Sequence, residues 1–254
     1  MKLATWNVNS LNVRLPQVLG WLAQTSTDTV LLQEIKMTDD KFPAQAFEQA
    51  GYYAHPFGQK TYNGVAIISK HPITDICYNI PEFEDTQARL ITATIKDIRT
   101  ICAYIPNGQE PGSEKFEYKM KWLQALKTWL EKEIHKHPKL ILAGDYNIAP
   151  QDCDVYDPIA WKNQILCTPQ ERQHFQNLLS TGLWDAFRLF EQKPDLWSWW
   201  DYRNFSLQKN KGLRIDHILV SNALKEQVTT CFIDKAPRKN ERPSDHTPVV
   251  IELL

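Results

Sequence analysis

No stretch of the 254-residue chain holds 18 apolar residues in a row, which leaves no candidate for a membrane-spanning helix. The opening Met1-Lys2-Leu3-Ala4-Thr5-Trp6-Asn7 reads as a strand and lacks the apolar core of a secretion signal, so a soluble, cytoplasmic protein with no membrane partner is expected. Cysteine is scarce and unpaired. Cys77, Cys102, Cys153, Cys167 and Cys231 are odd in number, far apart and never in a C-x-x-C pair, which argues against a disulfide framework or a zinc site and suits a reducing compartment. An excess of charge is missing too: 29 Lys and Arg stand against 30 Asp and Glu, so bulk charge neither demands nor excludes a polyanion. No low-complexity linker divides the chain, and one domain over residues 1–254 is expected at this length.

What the chain does contain is the material of a packed core: 43% of its residues are hydrophobic and nine are tryptophan. Short apolar runs predict buried strands over Lys2–Trp6, Thr29–Leu32, Gly64–Ser69, Leu90–Ile95, Thr100–Tyr104, Leu140–Ala143, Ile215–Val220 and Pro248–Leu253. Amphipathic spacing predicts helices over roughly Leu15–Gln24, from Glu114 to about His137 behind a Ser113 cap, and after Thr168, where Pro169 and Glu171 complete a capping box. Strands and helices mix without strict βαβ alternation, and several strands lie close enough in sequence to pair antiparallel. The expected fold is therefore α/β, with two packed mixed sheets flanked by helices. Two polar, aromatic-studded stretches, Ile148–Thr168 and Lys193–Gly212, read as functional loops. Positive charge gathers locally, with five basic residues against two acidic ones in Lys193–Arg214 and four against one in Lys235–Arg242.

Chemistry is concentrated where strands stop. Apolar runs end in Asn7, in Glu34 and in Gly144-Asp145-Tyr146-Asn147; Asp216 and His217 lie in another strand, and Ser244-Asp245-His246 precedes the last. Taken singly, each has a structural explanation: Gly-Asp-x-Asn makes an Asx turn, Glu34 caps a helix, and a lone histidine is satisfied within a core. Asp216 inside an apolar strand resists that treatment, because a buried carboxylate needs a charge or hydrogen-bond partner and histidine is the natural one. Coincidence at five strand ends favours one shared centre. Its hard oxygen ligands, Glu34 with Asp145 or Asp245, select Mg²⁺ or Mn²⁺ over Zn²⁺. An Asp–His pair, a further Asp and a nearby Asn supply what in-line attack of water on a phosphodiester requires, so the residues point to a metal-dependent phosphoesterase.

The same residues carry a family likeness, in Trp6-Asn7-Val8-Asn9-Ser10-Leu11, Leu32-Gln33-Glu34-Ile35-Lys36, Gly58-Gln59-Lys60, Tyr62-Asn63-Gly64-Val65-Ala66, Gly144–Pro150, Ser198–Arg203, Gly212–Asp216 and Pro243–His246. Here the sequence resembles the exodeoxyribonuclease III family of abasic-site endonucleases, within the endonuclease/exonuclease/phosphatase superfamily, from Met1 to about Glu252. The resemblance implies a four-layer α/β sandwich with the site at one edge of the sheets. It implies Glu34 as the principal metal ligand, assisted by Asn7 and Asp245. Asp145 would orient or deprotonate the attacking water, Asn147 would hold the phosphate, and Asp216 would pair with His246 at the scissile phosphate. Tyr104 would lie near the phosphate or leaving oxygen, with a structural tyrosine as the alternative. Trp199, Leu213 and Ile215 would line an apolar pocket for a base-free sugar, with Trp200 beside it, and Lys36, Lys60, Arg89 and Arg203 would meet phosphates.

The expected activity is that of a monomeric, Mg²⁺-dependent hydrolase, with Mn²⁺ as a substitute, that nicks duplex DNA 5′ to abasic sites and trims 3′ ends. A non-DNA phosphodiesterase of the same superfamily and a catalytically silent DNA-binding homologue are the rivals. The second is disfavoured because Glu34, Asp145, Asn147, Asp216, Asp245 and His246 are all present. If Trp199 serves only the sugar pocket, Trp199→Ala weakens abasic-site cleavage by roughly 1–3 kcal/mol and spares a small phosphodiester.

Overall fold

The computed structural model describes residues 1–254. Its twelve strands form two six-stranded mixed sheets. One sheet contains β1 (Lys2–Asn7), β2 (Thr29–Gln33), β3 (Tyr53–Phe57), β4 (Val65–Ser69), β11 (Val228–Ile233) and β12 (Val249–Leu253), in the order β11-β12-β1-β2-β4-β3. The other contains β5 (Ile73–Tyr78), β6 (Leu90–Ile95), β7 (Ile98–Tyr104), β8 (Leu140–Asp145), β9 (Leu183–Asp185) and β10 (Asp216–Ser221), in the order β5-β6-β7-β8-β10-β9.

The two sheets repeat one plan. Each has a single parallel pair at its centre, β1 with β2 and β7 with β8, and a helix makes each crossover: Leu11–Thr25 in one half, Glu114–Lys136 in the other. Antiparallel neighbours flank each pair, β12 and β4 in the first sheet, β6 and β10 in the second. The second strand of each pair delivers an acid at its end, Glu34 after β2 and Asp145 in β8.

Interior strands are mostly apolar because both of their faces are covered. Leu3, Leu31, Val65 and Ile67 of one sheet meet Ile91, Ala93, Ile141, Ala143 and Ile218 of the other. Their strand neighbours Ala4, Trp6, Val30 and Leu32 turn outward onto Leu11, Val18, Trp21 and Leu22, while Ile101, Leu140 and Leu142 turn onto Trp122, Leu123, Leu126 and Leu130. The result is helix, sheet, sheet, helix: four layers, as expected. Cutting Leu126 or Leu142 back to Ala would cost about 2–5 kcal/mol, since both side chains are fully buried. No helix is long and apolar enough to cross a membrane.

All eight predicted strands are present, as are the three predicted helices; Thr168 and Glu171 form the expected capping box, and Ser113 accepts from Phe116 N. The four strands that patterning misses, β3, β5, β9 and β11, are the four sheet edges. Edge strands keep one flank in solvent, so their sequences carry broken patterns such as Thr74 and Asp75 exposed within β5.

Candidate active site

Sheet register collects the polar residues at one end of the sandwich. Tyr104 and Asp216 are the cross-strand partners of Asp145 on its two sides, and Asn7 pairs with Gln33 immediately before Glu34. Gly144 permits the close approach of β7 and β8 just before the site, since a Cβ there would lie 1.8 Å from the Ala103 carbonyl oxygen.

Asn7 ties the two sheets together. Its Nδ2 donates at 2.9 Å both to Glu34 Oε1 and to Asp145 Oδ2, and its Oδ1 accepts from Asn9 N. Glu34 Oε1 also accepts the Tyr104 hydroxyl at 2.9 Å, and Oε2 pairs with Lys36 Nζ at 2.7 Å. Burial would raise the Glu34 pKa, but Lys36 and the Asn7 hydrogen bond outweigh it and hold the carboxyl below its usual value. Glu34 adopts φ 52°, a left-handed conformation that is strained for a glutamate and sets it off from the strand it follows.

Asp145 Oδ1 accepts from Asn147 N at 2.9 Å, so the Asx turn that Gly-Asp-x-Asn suggests is present and belongs to the centre itself. Burial, with Asp216 and Glu34 adding repulsion, pushes the Asp145 carboxyl up to about 7 against the pull of His246 and Asn7. Asn147, at φ 50°, donates to Ile105 O and accepts from Asn107 Nδ2, each at 3.0 Å.

His246 Nδ1 lies 2.9 Å from Asp216 Oδ2, and its Nε2 is 3.7 Å from Asp145 Oδ2. Burial opposes the imidazolium, yet Asp216 and Asp145 override it and raise the histidine to about 10. Asp216 is further fixed by Ser198 Oγ at 2.6 Å, which itself accepts from Ile215 N and Asp216 N. Asp245 accepts from Asn9 Nδ2 at 2.9 Å and from the Trp199 indole Nε1 at 3.0 Å.

Four carboxylates, those of Glu34, Asp145, Asp216 and Asp245, thus face two cationic side chains, His246 and Lys36. Ligand atoms of Asp145, Asp216 and His246 lie within 4.8 Å of one another, but the charged imidazole offers a metal no lone pair, so the carboxylates are the donors available to an ion. A buried, oxygen-rich centre with surplus negative charge suits a hard divalent cation.

The remaining expected residues do not all sit as anticipated. Lys36 reaches into the centre, bonding Glu34 and, at 2.6 Å, Asn9 Oδ1, so its charge is already engaged. Arg89 is buried over the Tyr104 ring at 4.9 Å and donates to Tyr104 O and Gln87, which makes it a support for Tyr104. A groove of about 750 Å³ runs beside Tyr104, Arg89 and Asn107, and exposed Lys60 lies in the loop that supplies Gln59 and Tyr62 to its rim. Arg203 is exposed and paired to Asp201 at 2.6 Å. Trp200 is fully buried beneath Lys235 and Arg238 and presents no surface to a substrate. Leu213 and Ile215 are 0% and 1% exposed, packed with Ala149, Val155, Leu166 and Cys167, so the expected slot is closed; of its three expected lining residues only Trp199 is half-buried.

Sequence patterning does not single out Asn9, Ser198 or Asn107 as parts of the centre. Asn9 and Ser198 sit inside the stretches that carry the family likeness, and that adjacency is the signal that points to them.

A model of the endonuclease/exonuclease/phosphatase family matches residues 4–246. The chain is 37% identical to the exodeoxyribonuclease III of Haemophilus influenzae, over 100% of both chains, and 35% identical to an exodeoxyribonuclease of Bacillus subtilis, over 98% of both. Among solved structures, a variant of the 3′ phosphatase NExo from Neisseria, bound to a product DNA hairpin, superposes with a TM-score of 0.98 at 47% identity, covering 100% of this chain and 99% of that one. An AP endonuclease from Archaeoglobus fulgidus follows at 0.96 and 34%, again over 100% and 99% of the chains.

Proposed function

As this chain belongs to the endonuclease/exonuclease/phosphatase family, and within it resembles the exodeoxyribonuclease III branch over its full length, we propose that it is a Mg²⁺-dependent DNA repair nuclease that cuts 5′ to abasic sites and trims 3′ ends. The observation that carries this reading is the Asp216–His246–Asp145 line, in which a clamped imidazolium sits 3.7 Å from a carboxylate poised near neutrality.

Each residue then has a part that its surroundings support. Asp145, with a pKa of about 7, takes a proton from the attacking water. His246 gives Nδ1–H to Asp216 and keeps Nε2–H for a non-bridging phosphate oxygen, placing positive charge where the transition state gains negative charge. Asn147 has one amide proton beyond its bond to Ile105 O for the same phosphate. Tyr104 stays a phenol, because burial and the Glu34 carboxylate push its pKa well up; it is a hydrogen-bond donor and not a nucleophile. Glu34 and Asp245 would hold Mg²⁺ with the second lone pair of Asn7 Oδ1. When bound, the ion supplies neutralisation of the phosphate and of the departing oxygen.

The closed slot favours a second reading, in which 3′ ends are the main substrate and abasic cleavage is weak. Leu213 and Ile215 offer no surface to a sugar, and the structures at 47% identity are described as a 3′ phosphatase and a 3′-5′ exonuclease. Mg²⁺ assays on matched duplexes carrying one abasic analogue, one 3′-phosphate or neither distinguish the two. Hydrolysis of a small phosphodiester alone, with every DNA substrate intact, overturns both.

A further inference from the structure

Lys119 and Glu171 come from two outer helices, Glu114–Lys136 and Pro169–Leu179, and neither takes part in the proposed chemistry. Both side chains are 0% exposed and their charged atoms are 2.5 Å apart. The three protons of the Lys119 ammonium go to Glu171 Oε1, to the main-chain oxygen of Asn147 at 2.7 Å and to that of Asn107 at 3.1 Å. Glu171 is as fully committed: Oε1 accepts Leu166 N at 3.1 Å, and Oε2 accepts Thr168 N and Oγ1 at 3.0 and 2.8 Å.

Three loops therefore meet on this pair. One carries Asn147 in its left-handed turn, one carries Asn107 three residues after Tyr104, and one carries Leu166 at the wall of the closed apolar slot. Asn107 also bonds Asn147 Oδ1, so the pair grips Asn147 through its own carbonyl and through the neighbour that orients its amide. A lysine serves this end better than an apolar residue would, because a residue at φ 50° in a buried turn leaves its carbonyl without a strand or helix partner. Glu171 makes the charge tolerable and locks the lysine in one rotamer.

We infer that Lys119 and Glu171 are positioning residues, a buried ion pair that holds the Asn147 amide at the phosphate and sets the catalytic step from the far side of the sheet. The inference rests on the proposed phosphodiester chemistry. Since a misplacement of about 1 Å at a reacting group can cost on the order of 100-fold, loss of the pair should act on kcat and leave substrate affinity almost alone.

The test is a cycle in the full-length protein, with Mg²⁺ and DNA duplexes bearing an abasic analogue or a 3′-phosphate. Lys119→Met/Glu171→Gln removes both charges and keeps the capping box, since glutamine serves at that position. Expected is a fall in kcat of roughly 10- to 100-fold with KM changed by less than about 3-fold, and almost no further fall when the pair variant is added to Asn147→Ala. An unchanged kcat, or losses that multiply in full with Asn147→Ala, overturns the inference. If the pair variant does not fold, Lys119→Gln and Glu171→Gln are run singly through the same cycle: each should lower kcat with KM nearly unchanged, Lys119→Gln the more, and an unchanged kcat in either, or losses that multiply in full with Asn147→Ala, overturns the inference. Absence of wild-type activity on both duplexes would instead sink the proposed function.

Discussion

The indole Nε1 of Trp199 donates to Asp245 Oδ2 at 3.0 Å, so the residue expected to face a base-free sugar is bonded to a proposed metal ligand. The expected pocket and the proposed metal site would thus share a side chain. Trp199→Phe keeps the ring and removes the donor, and loss of a hydrogen bond that orients a metal ligand costs about 10- to 100-fold in metal affinity. We predict weaker Mn²⁺ binding by titration and slower hydrolysis of DNA and small phosphodiester alike. This differs from the expectation that a Trp199 variant spares a small substrate, which holds only if the indole nitrogen has no partner.

Asp216 and His246 should behave as one unit. Asp216→Asn and His246→Ala each remove the clamped imidazolium, with an expected loss on the order of 10²- to 10⁴-fold in kcat. The double variant should be little worse than either single one, and fully multiplying losses in steady-state kinetics would show that the two act separately.

The charge on His246 can be read directly. In the metal-free protein its ring should titrate near 10, where an ordinary histidine titrates near 6.5, because Asp216 and Asp145 favour the charged form over the cost of burial. The stabilisation this gives is complete below about pH 6.5 and is lost as pH rises through about 10. Asp216→Asn should move the imidazole resonance in an NMR titration toward its ordinary value; an unmoved resonance would contradict the assignment.

Asp145 has the opposite effect on its own fold. With its pKa at about 7 instead of 3.8, the folded state binds an extra proton between those values, so metal-free stability falls as pH rises from about 4 to about 7. Asp145→Asn should flatten that part of the melting-temperature profile and melt higher than the wild type above pH 7, while losing most of kcat. A variant that melts lower there would mean the carboxylate is structurally required.

Interior strands are legible in the sequence because burial on both faces writes an unbroken apolar run, as in Leu140–Ala143, and the acids at their ends stand out against it. Edge strands such as β3 and β11 are not, because solvent on one flank erases the run. In the site, the acids and the imidazole that end or precede apolar runs are legible, Asp216 with His246 above all, because a carboxylate inside an apolar strand calls for such a partner. Supports reached through space are not. Nothing local in sequence tells Lys119 that Asn147 O lies 2.7 Å away, or Trp199 that its nitrogen faces Asp245. Burial likewise separates Trp200 from Trp199, a distinction that two adjacent tryptophans cannot make for themselves.

The most direct measurement is strand cleavage of duplexes bearing a single abasic analogue or a 3′-phosphate, by wild type and Glu34→Ala, in EDTA and across a Mg²⁺ titration. A metal centre built on Glu34 predicts no cleavage in EDTA, recovery with Mg²⁺ or Mn²⁺, and a Glu34→Ala curve displaced to far higher metal. Full activity in chelator, or a Glu34→Ala titration that overlays the wild type, would contradict it.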